Sequence, residues 1–499
     1  MKTVNYLLLL ALTGIFPLTA TGNGPATRPP VPKRAPAPLS IALLPPPNGP
    51  LLSQVPALPS SGLTNRPVRD VALLLNQLPA VGVVDLGSLK PALGVQPRYV
   101  AVGGSLTAGF RNGGLYREAQ LTAYPNLIAR QMGLTDFRQP LFSPEQGNGS
   151  GYKQLVPGGA FPHYTDAGNN LAAAGKDPLT FAPVSGRIDN LGMPFLGVHS
   201  SQSTESWRLD SRTRPGVPYQ PEYRSYFRRL LPNDNSQWLT NYVSYALQQK
   251  ANFVTIELGM DDAIWFATAG GYRLNGVMTQ LAMGESSPVI ALLNQLVKNQ
   301  TKGAIATVPD VLRFPYFSFV PVKTARQRNG GQKLYAVVDD RYELVENGTQ
   351  YVAEIADTDA LLPTADVMAL AQGISAKKGL SPATPLSSHD VLSARDIADL
   401  RHVDDLNSLI RFQAAKAKVP VVDLAAVYKR ILAGQYTTDD GLKINPSFPG
   451  GNFFSGDGLH PSALGQAVLA NEWIRAINGF YGTRIPLIAT TIFAQRLNE

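Results

Sequence analysis

The sequence predicts an α/β protein built on a central parallel sheet, and three observations carry that expectation. Short apolar runs rich in β-branched residues recur at Tyr99-Val100-Ala101-Val102, Phe253-Val254-Thr255-Ile256, Ala304-Ile305-Ala306-Thr307-Val308 and Val419-Pro420-Val421-Val422-Asp423-Leu424. Most are followed by turn residues and then by a helical pattern, as expected for strands buried on both faces and joined by helices. Ser462 to Asn478 is the clearest helix, with Ala463, Val468, Leu469, Trp473 and Ile477 at helical spacing behind Pro461. With 499 residues, 44% of them hydrophobic and 16% charged, the chain can bury a large core.

In chain order, residues 1–22 read as an export signal. Lys2 supplies the positive start, Tyr6 to Phe16 the apolar stretch, and Ala20-Thr21-Gly22 the small residues of a cleavage site. The apolar stretch is short of the roughly 20 residues a membrane span needs, which favours a cleaved signal over its rival, an uncleaved anchor. No later window reads as a span, so the mature chain is expected to be exported, to the periplasm or the medium. Residues 23–68 are expected to form a Pro-rich disordered linker, since twelve of the chain's 41 prolines fall between Pro25 and Pro59. Proline removes backbone donors and fixes φ, which favours a semi-rigid tether; a ligand for a proline-reading module is the alternative. The globular domain is expected over 69–499. Segments of about 110–250 and 312–415 are richer in Gly, Pro and polar residues and read as insertions on the sheet.

The composition excludes several classes of function. The chain has no Cys, which removes disulfides, thiol nucleophiles, iron–sulfur clusters and Cys-zinc sites. Its 44 Lys and Arg exceed its 36 Asp and Glu, but the cations are scattered, with no block longer than pairs such as Lys33-Arg34 and Arg228-Arg229. A nucleic-acid binder concentrates its cations in a patch or along one helix, so no nucleic-acid partner is expected.

In an open parallel sheet, ligands sit beyond the carboxyl ends of the strands. Gly103-Gly104-Ser105-Leu106 follows the first run, Gly259-Met260-Asp261-Asp262 the second, and Asp457-Gly458-Leu459-His460-Pro461 precedes the best helix. Taken singly, each is ordinary turn chemistry. A serine hydroxyl needs a base to take its proton, a histidine suits that task, and an aspartate can hold the histidine's tautomer. The absence of a Gly-x-Ser-x-Gly elbow argues against an α/β-hydrolase.

The three motifs occur in the order seen in the SGNH (GDSL-type) hydrolases, and the chain resembles a secreted bacterial branch of that family over about residues 97–482. Ser105 to Met132 resembles the helix after the nucleophile. Gly147 to Tyr152, Ala267 to Gly271, Val308 to Val311 and Phe454 to Pro461 resemble other stretches of the branch. The resemblance implies a three-layer α/β/α, flavodoxin-like sandwich and a serine esterase or lipase with no cofactor and no metal. It implies Ser105 as nucleophile, His460 as base and Asp457 as its partner. The expected substrate is a small-molecule, lipid or acylated-glycan ester.

The sequence departs from the family pattern at the oxyanion hole. Asp261 stands at the Asn position, and an ionised carboxylate donates no hydrogen bond, whereas a protonated one does. Asn190-Leu191-Gly192-Met193-Pro194 resembles the approach to the family Gly, but Phe195 stands in its place, with the next glycine at Gly197 and His199 nearby. Gly104 replaces the Asp of the Gly-Asp-Ser-Leu signature. The expected hole is therefore Ser105, Asp261 and Phe195 or Gly197. The alternatives are a catalytically weak or inactive SGNH-fold protein that binds an acylated or glycan ligand, and a calcium site at Asp261-Asp262. Trp265, Phe266, Tyr316, Phe317 and Phe319 are read as either pocket lining or core.

Overall fold

A computed structural model describes residues 60–79, 81–93, 97–156, 163–172, 181–197, 223–231, 241–271, 288–339, 350–375 and 377–497. All of these fall in the unit Ser40–Glu499. The expected export signal, most of the linker and His199 lie outside the described residues. No helix among the described residues is long and apolar enough to cross a membrane.

Four parallel strands form the central sheet: Tyr99–Gly103, Phe253–Glu257, Lys302–Ala306 and Val421–Val422, neighbours in that order. Every residue of the first two is buried, which requires cover on both faces of the sheet. On the outer side of the first strand, Ala101 N–H donates to Asp189 O (2.8 Å) and Leu191 N–H to Ala101 O (2.8 Å), a parallel bridge at Asn190. Counting that segment as second in chain order gives 2-1-3-4-5, the doubly wound order, with its switch point between Tyr99–Gly103 and Phe253–Glu257. The helices Tyr124–Gln131 and Ala463–Tyr481 pack together, and Pro288–Lys298 packs on His402–Ala417. The architecture is the expected α/β fold with a parallel sheet between helices.

Ala463–Tyr481 extends the expected helix by one turn. Ser462 caps it by accepting the Gly465 N–H, and Gly482 ends it in the left-handed region. Its buried Trp473 stacks on Tyr124, with ring centroids 5.3 Å apart and 5° between planes. Trp473→Ala is expected to cost about 3–5 kcal/mol, seen as a lower denaturant midpoint at unchanged slope.

Several sequence boundaries are corrected. The linker does not reach residue 68: Ser60–Thr64 is a strand parallel to His163–Ala167, which pairs antiparallel with Lys153–Val156. The stretch from Ser105 to Met132 is three short helices, Ser105–Ala108, Arg117–Leu121 and Tyr124–Gln131: Gly109 turns left-handed (φ 82°) and ends the first, and the extended backbone of Ala123 (ψ 143°) separates the second from the third. The segment 110–250 is not one insertion, since it holds the helix Tyr124–Gln131 and the sheet edge at Asn190. The second insertion ends before His402–Ala417, whose Val403, Leu406, Ile410 and Ala414 join the main core; its charged outer face, with Asp404, Asp405 and Lys416, gave it the composition of a surface segment. Described residues between 320 and 391 carry a second, smaller core around Leu334, Leu361, Leu370 and Leu386, beside the antiparallel strands Tyr335–Asp339 and Gln350–Glu354.

Candidate active site

The first strand ends at Gly103 and the chain turns straight into the helix Ser105–Ala108, so Ser105 sits at the carboxyl end of the sheet. The second strand ends at Glu257. There Gly259 takes φ 103°, a conformation costly for any side chain, and starts the helix Met260–Thr268. Asp261 on its first turn therefore faces Ser105 across the switch point. Asp261 Oδ2 accepts the Ser105 backbone N–H (2.8 Å) and the Ser105 hydroxyl (3.0 Å). Gly104 makes this approach possible, because a Cβ there would lie 2.5 Å from Asp261 Oδ2.

The edge segment explains Phe195. Met193 N–H donates to Gly103 O (3.0 Å), which keeps the chain alongside the first strand until it reaches the turn that carries Ser105. Phe195 then adopts φ 61°, the left-handed region that suits glycine, and its N–H lies 3.1 Å from Ser105 Oγ. The next N–H, of Leu196, hydrogen-bonds to Asp261. Gly197 lies partly buried two residues on from Phe195.

Asp457 and His460 share one tight loop closed by Ser455 N–H to His460 O (2.8 Å). Asp457 Oδ1 accepts the Ser455 hydroxyl (2.9 Å) and the N–H groups of Leu459 (2.9 Å) and His460 (2.8 Å). Its Oδ2 accepts the Gly113 N–H (3.1 Å) and lies 2.9 Å from His460 Nδ1. A carboxylate only accepts, so the His460 proton belongs on Nδ1 and Nε2 carries the lone pair. Burial alone would raise the Asp457 carboxyl, but His460 and these N–H donors outweigh it and hold it below the usual range. Burial alone would lower the His460 imidazole, but Asp457, Asp261 and Glu257 outweigh it and push it above 6.5.

The segment that follows the helix Ser105–Ala108 and the loop carrying His460 are tied together by residues that no motif marked. Asn112 accepts the Gly456 N–H (2.7 Å) through its side chain and donates its own N–H to Ser455 Oγ (3.1 Å). The Phe110 ring lies edge-on to His460 and edge-on to Phe195, each at 5.0 Å between centroids. The Ser105 hydroxyl donates to Asp261 rather than to His460. Glu257, the last residue of an apolar strand, is buried beneath the turn, where its Oε2 accepts the Gly104 N–H (3.2 Å) and the Thr107 hydroxyl (3.0 Å).

Tyr316, Phe317 and Phe266 belong to the core, with Trp265 packed partly buried against it and Phe319 against the smaller core. No group of three or more His, Cys, Asp or Glu that could hold a metal occurs among the described residues. A family model described as GDSL-like Lipase/Acylhydrolase matches residues 99–473, about three quarters of the chain. No curated protein and no solved structure matches it.

Proposed function

From the premise that the chain belongs to the GDSL-like lipase/acylhydrolase family, whose chemistry in general is ester hydrolysis, we propose that it cleaves carboxylic esters through an acyl-Ser105 intermediate. Ser105 is the nucleophile, His460 the base and Asp457 the group that fixes the His460 tautomer. The observation that carries this reading is the Asp457–His460 pair at 2.9 Å, tied through Asn112 to the segment that follows the Ser105 helix.

In the first half-reaction the Ser105 proton passes to His460 Nε2 while Oγ bonds to the ester carbon. The tetrahedral intermediate then collapses, and the leaving alcohol takes the proton from His460. In the second half-reaction water gives a proton to His460 and attacks the acyl carbon. Ser105 leaves with that proton, and a carboxylic acid is released. The backbone N–H groups of Ser105 and Phe195 serve the developing oxyanion. Small-molecule, lipid and acylated-glycan esters all fit this chemistry, and a screen of p-nitrophenyl esters of graded acyl length separates them.

Asp261 is the departure that limits the rate wherever it is ionised. Its ionised form occupies the Ser105 N–H and puts negative charge where the oxyanion develops. Asp261→Asn supplies a permanent donor, and since one such donor is worth about 10²–10³ in rate, kcat is expected to rise about 100-fold at about pH 8. An unchanged or lower kcat removes Asp261 from the oxyanion site. The same contact favours the ligand-binding reading, under which neither wild type nor Asp261→Asn turns over any ester.

Export by residues 1–22, and a tether over the Pro-rich stretch that ends by Ser60 instead of at residue 68, belong to the same proposal. N-terminal sequencing of protein recovered outside the cytoplasm tests them.

A further inference from the structure

Two buried carboxylates meet the nucleophile turn at consecutive peptide groups. Glu257 Oε2 takes the Gly104 N–H at 3.2 Å and Asp261 Oδ2 takes the Ser105 N–H at 2.8 Å. Glu257 is 4% exposed and Asp261 7%. Two adjacent buried carboxylates cannot both ionise cheaply, so such a pair retains one proton into the neutral range.

We propose that Glu257 and Asp261 act as a carboxylate pair holding one proton, with Glu257 keeping the negative charge so that Asp261 is protonated and donates to the carbonyl oxygen of the ester as that oxygen becomes negative. This rests on the ester-hydrolase reading above. Glu257 is a positioning residue in this scheme: it touches neither substrate nor nucleophile and acts through Asp261.

The hydrogen bonds decide which partner takes the proton. Glu257 accepts from Gly104 and Thr107, and none of those donors is used in the reaction. Asp261 accepts from the Ser105 N–H and hydroxyl and from the Leu196 N–H, and substrate claims the first two: the Ser105 N–H turns to the oxyanion and the hydroxyl proton goes to His460. Engaging substrate thus strips Asp261 of bonds that favour its charge and leaves those of Glu257 intact. The negative oxyanion draws the proton further onto Asp261. Protonation also weakens Asp261 as an acceptor, which frees Ser105 for both tasks. The proton stays on the pair through acylation and deacylation, so none is consumed.

Without substrate the surroundings favour the proton on Glu257 beside a charged Asp261, and the loss of the Ser105 donors on substrate binding is what moves the charge to Glu257 and the proton to Asp261. Burial, then the Asp261 charge, pushes the Glu257 carboxyl up to about 7, and burial raises Asp261 as well. His460 faces both carboxylates and Asp457. The phenols of Tyr124, Tyr242 and Tyr428, which also face Glu257, are pushed by burial above their usual 10 and stay neutral. Asp262, next along the helix, is buried too.

The test is the pH dependence of kcat/KM for p-nitrophenyl acetate with the full mature chain. Wild type is expected to lose activity on an alkaline limb in the neutral range, as the pair loses its last proton. In Glu257→Gln, which keeps an acceptor for Gly104 and Thr107 but no charge, Asp261 ionises more readily and the limb moves acid by about one pH unit or more. In Asp261→Asn the limb disappears, and adding Glu257→Gln to it finds no limb to move. A Glu257→Gln variant that loses activity in equal proportion at every pH, limb in place, overturns the proposal. So does a limb that survives Asp261→Asn, which decides the matter even where Glu257→Gln fails to fold. No wild-type turnover of any ester at any pH sinks the hydrolase reading and this proposal together, whereas an unmoved limb in an active enzyme sinks only the pair.

Discussion

Ser105→Ala is expected to lower kcat for a p-nitrophenyl ester by about 10⁶, to the level left by binding and backbone donors alone. The size follows from the chemistry: without Oγ no acyl-enzyme forms, and His460 has no proton-bearing nucleophile to activate. The fold should survive, because the Ser105 N–H that Asp261 accepts is kept and only the hydroxyl's bonds to Asp261 and Phe195 are lost. A steady-state assay beside the variant's unfolding midpoint checks both points. Residual activity within about tenfold of wild type assigns the turnover to another group, since no positioning effect alone restores a missing nucleophile.

Asp457→Asn is expected to lower kcat by about 10⁴. Asn can keep its carbonyl oxygen toward the N–H groups of Leu459 and His460, where Asp457 Oδ1 now accepts. Its amide N–H₂ then faces His460 Nδ1, which must accept. The ring proton moves to Nε2, the position that should hold a lone pair for the Ser105 proton. Raising the pH does not rescue such an enzyme, because the wrong tautomer is already neutral. In wild type the corresponding acid limb reports His460. Its carboxylate neighbours hold the protonated ring above 6.5, so activity is lost as pH falls through that raised value and not through the ordinary one. With the alkaline limb of the carboxylate pair, this gives a narrow bell-shaped profile.

What could be read from the sequence was local. The strands and the long C-terminal helix announce themselves because burial on both faces demands continuous apolar runs, and because Trp473, Ile477 and their neighbours keep helical spacing. Ser105, Asp261, Asp457 and His460 stand out because each follows turn chemistry at the end of a strand or before a helix. Glu257 was illegible for the converse reason. It closes an apolar run, where a carboxylate reads as the strand's polar end, and only the register that pairs it with Gly103 reveals that it lies under the turn carrying Ser105. Phe195 was legible only as a departure, and its left-handed backbone shows that the position demands glycine-like geometry regardless of the side chain.

Boundaries failed where composition stood in for contact. The helix His402–Ala417 looked like part of an insertion because half of it faces solvent. The strand Ser60–Thr64 was hidden behind prolines, since its partner lies about a hundred residues away. The ties through Asn112 and Phe110 are long-range contacts between a turn and a loop that no spacing encodes.

The most direct test of the account is covalent capture of the nucleophile. A fluorophosphonate reacts with a serine hydroxyl only where a neighbouring base activates it, and it leaves an adduct that peptide mapping by mass spectrometry locates. The account predicts one adduct per chain, on the peptide carrying Ser105, formed by wild type and lost in His460→Ala. An adduct on another residue, or equal labelling of Ser105 when His460 is gone, contradicts it.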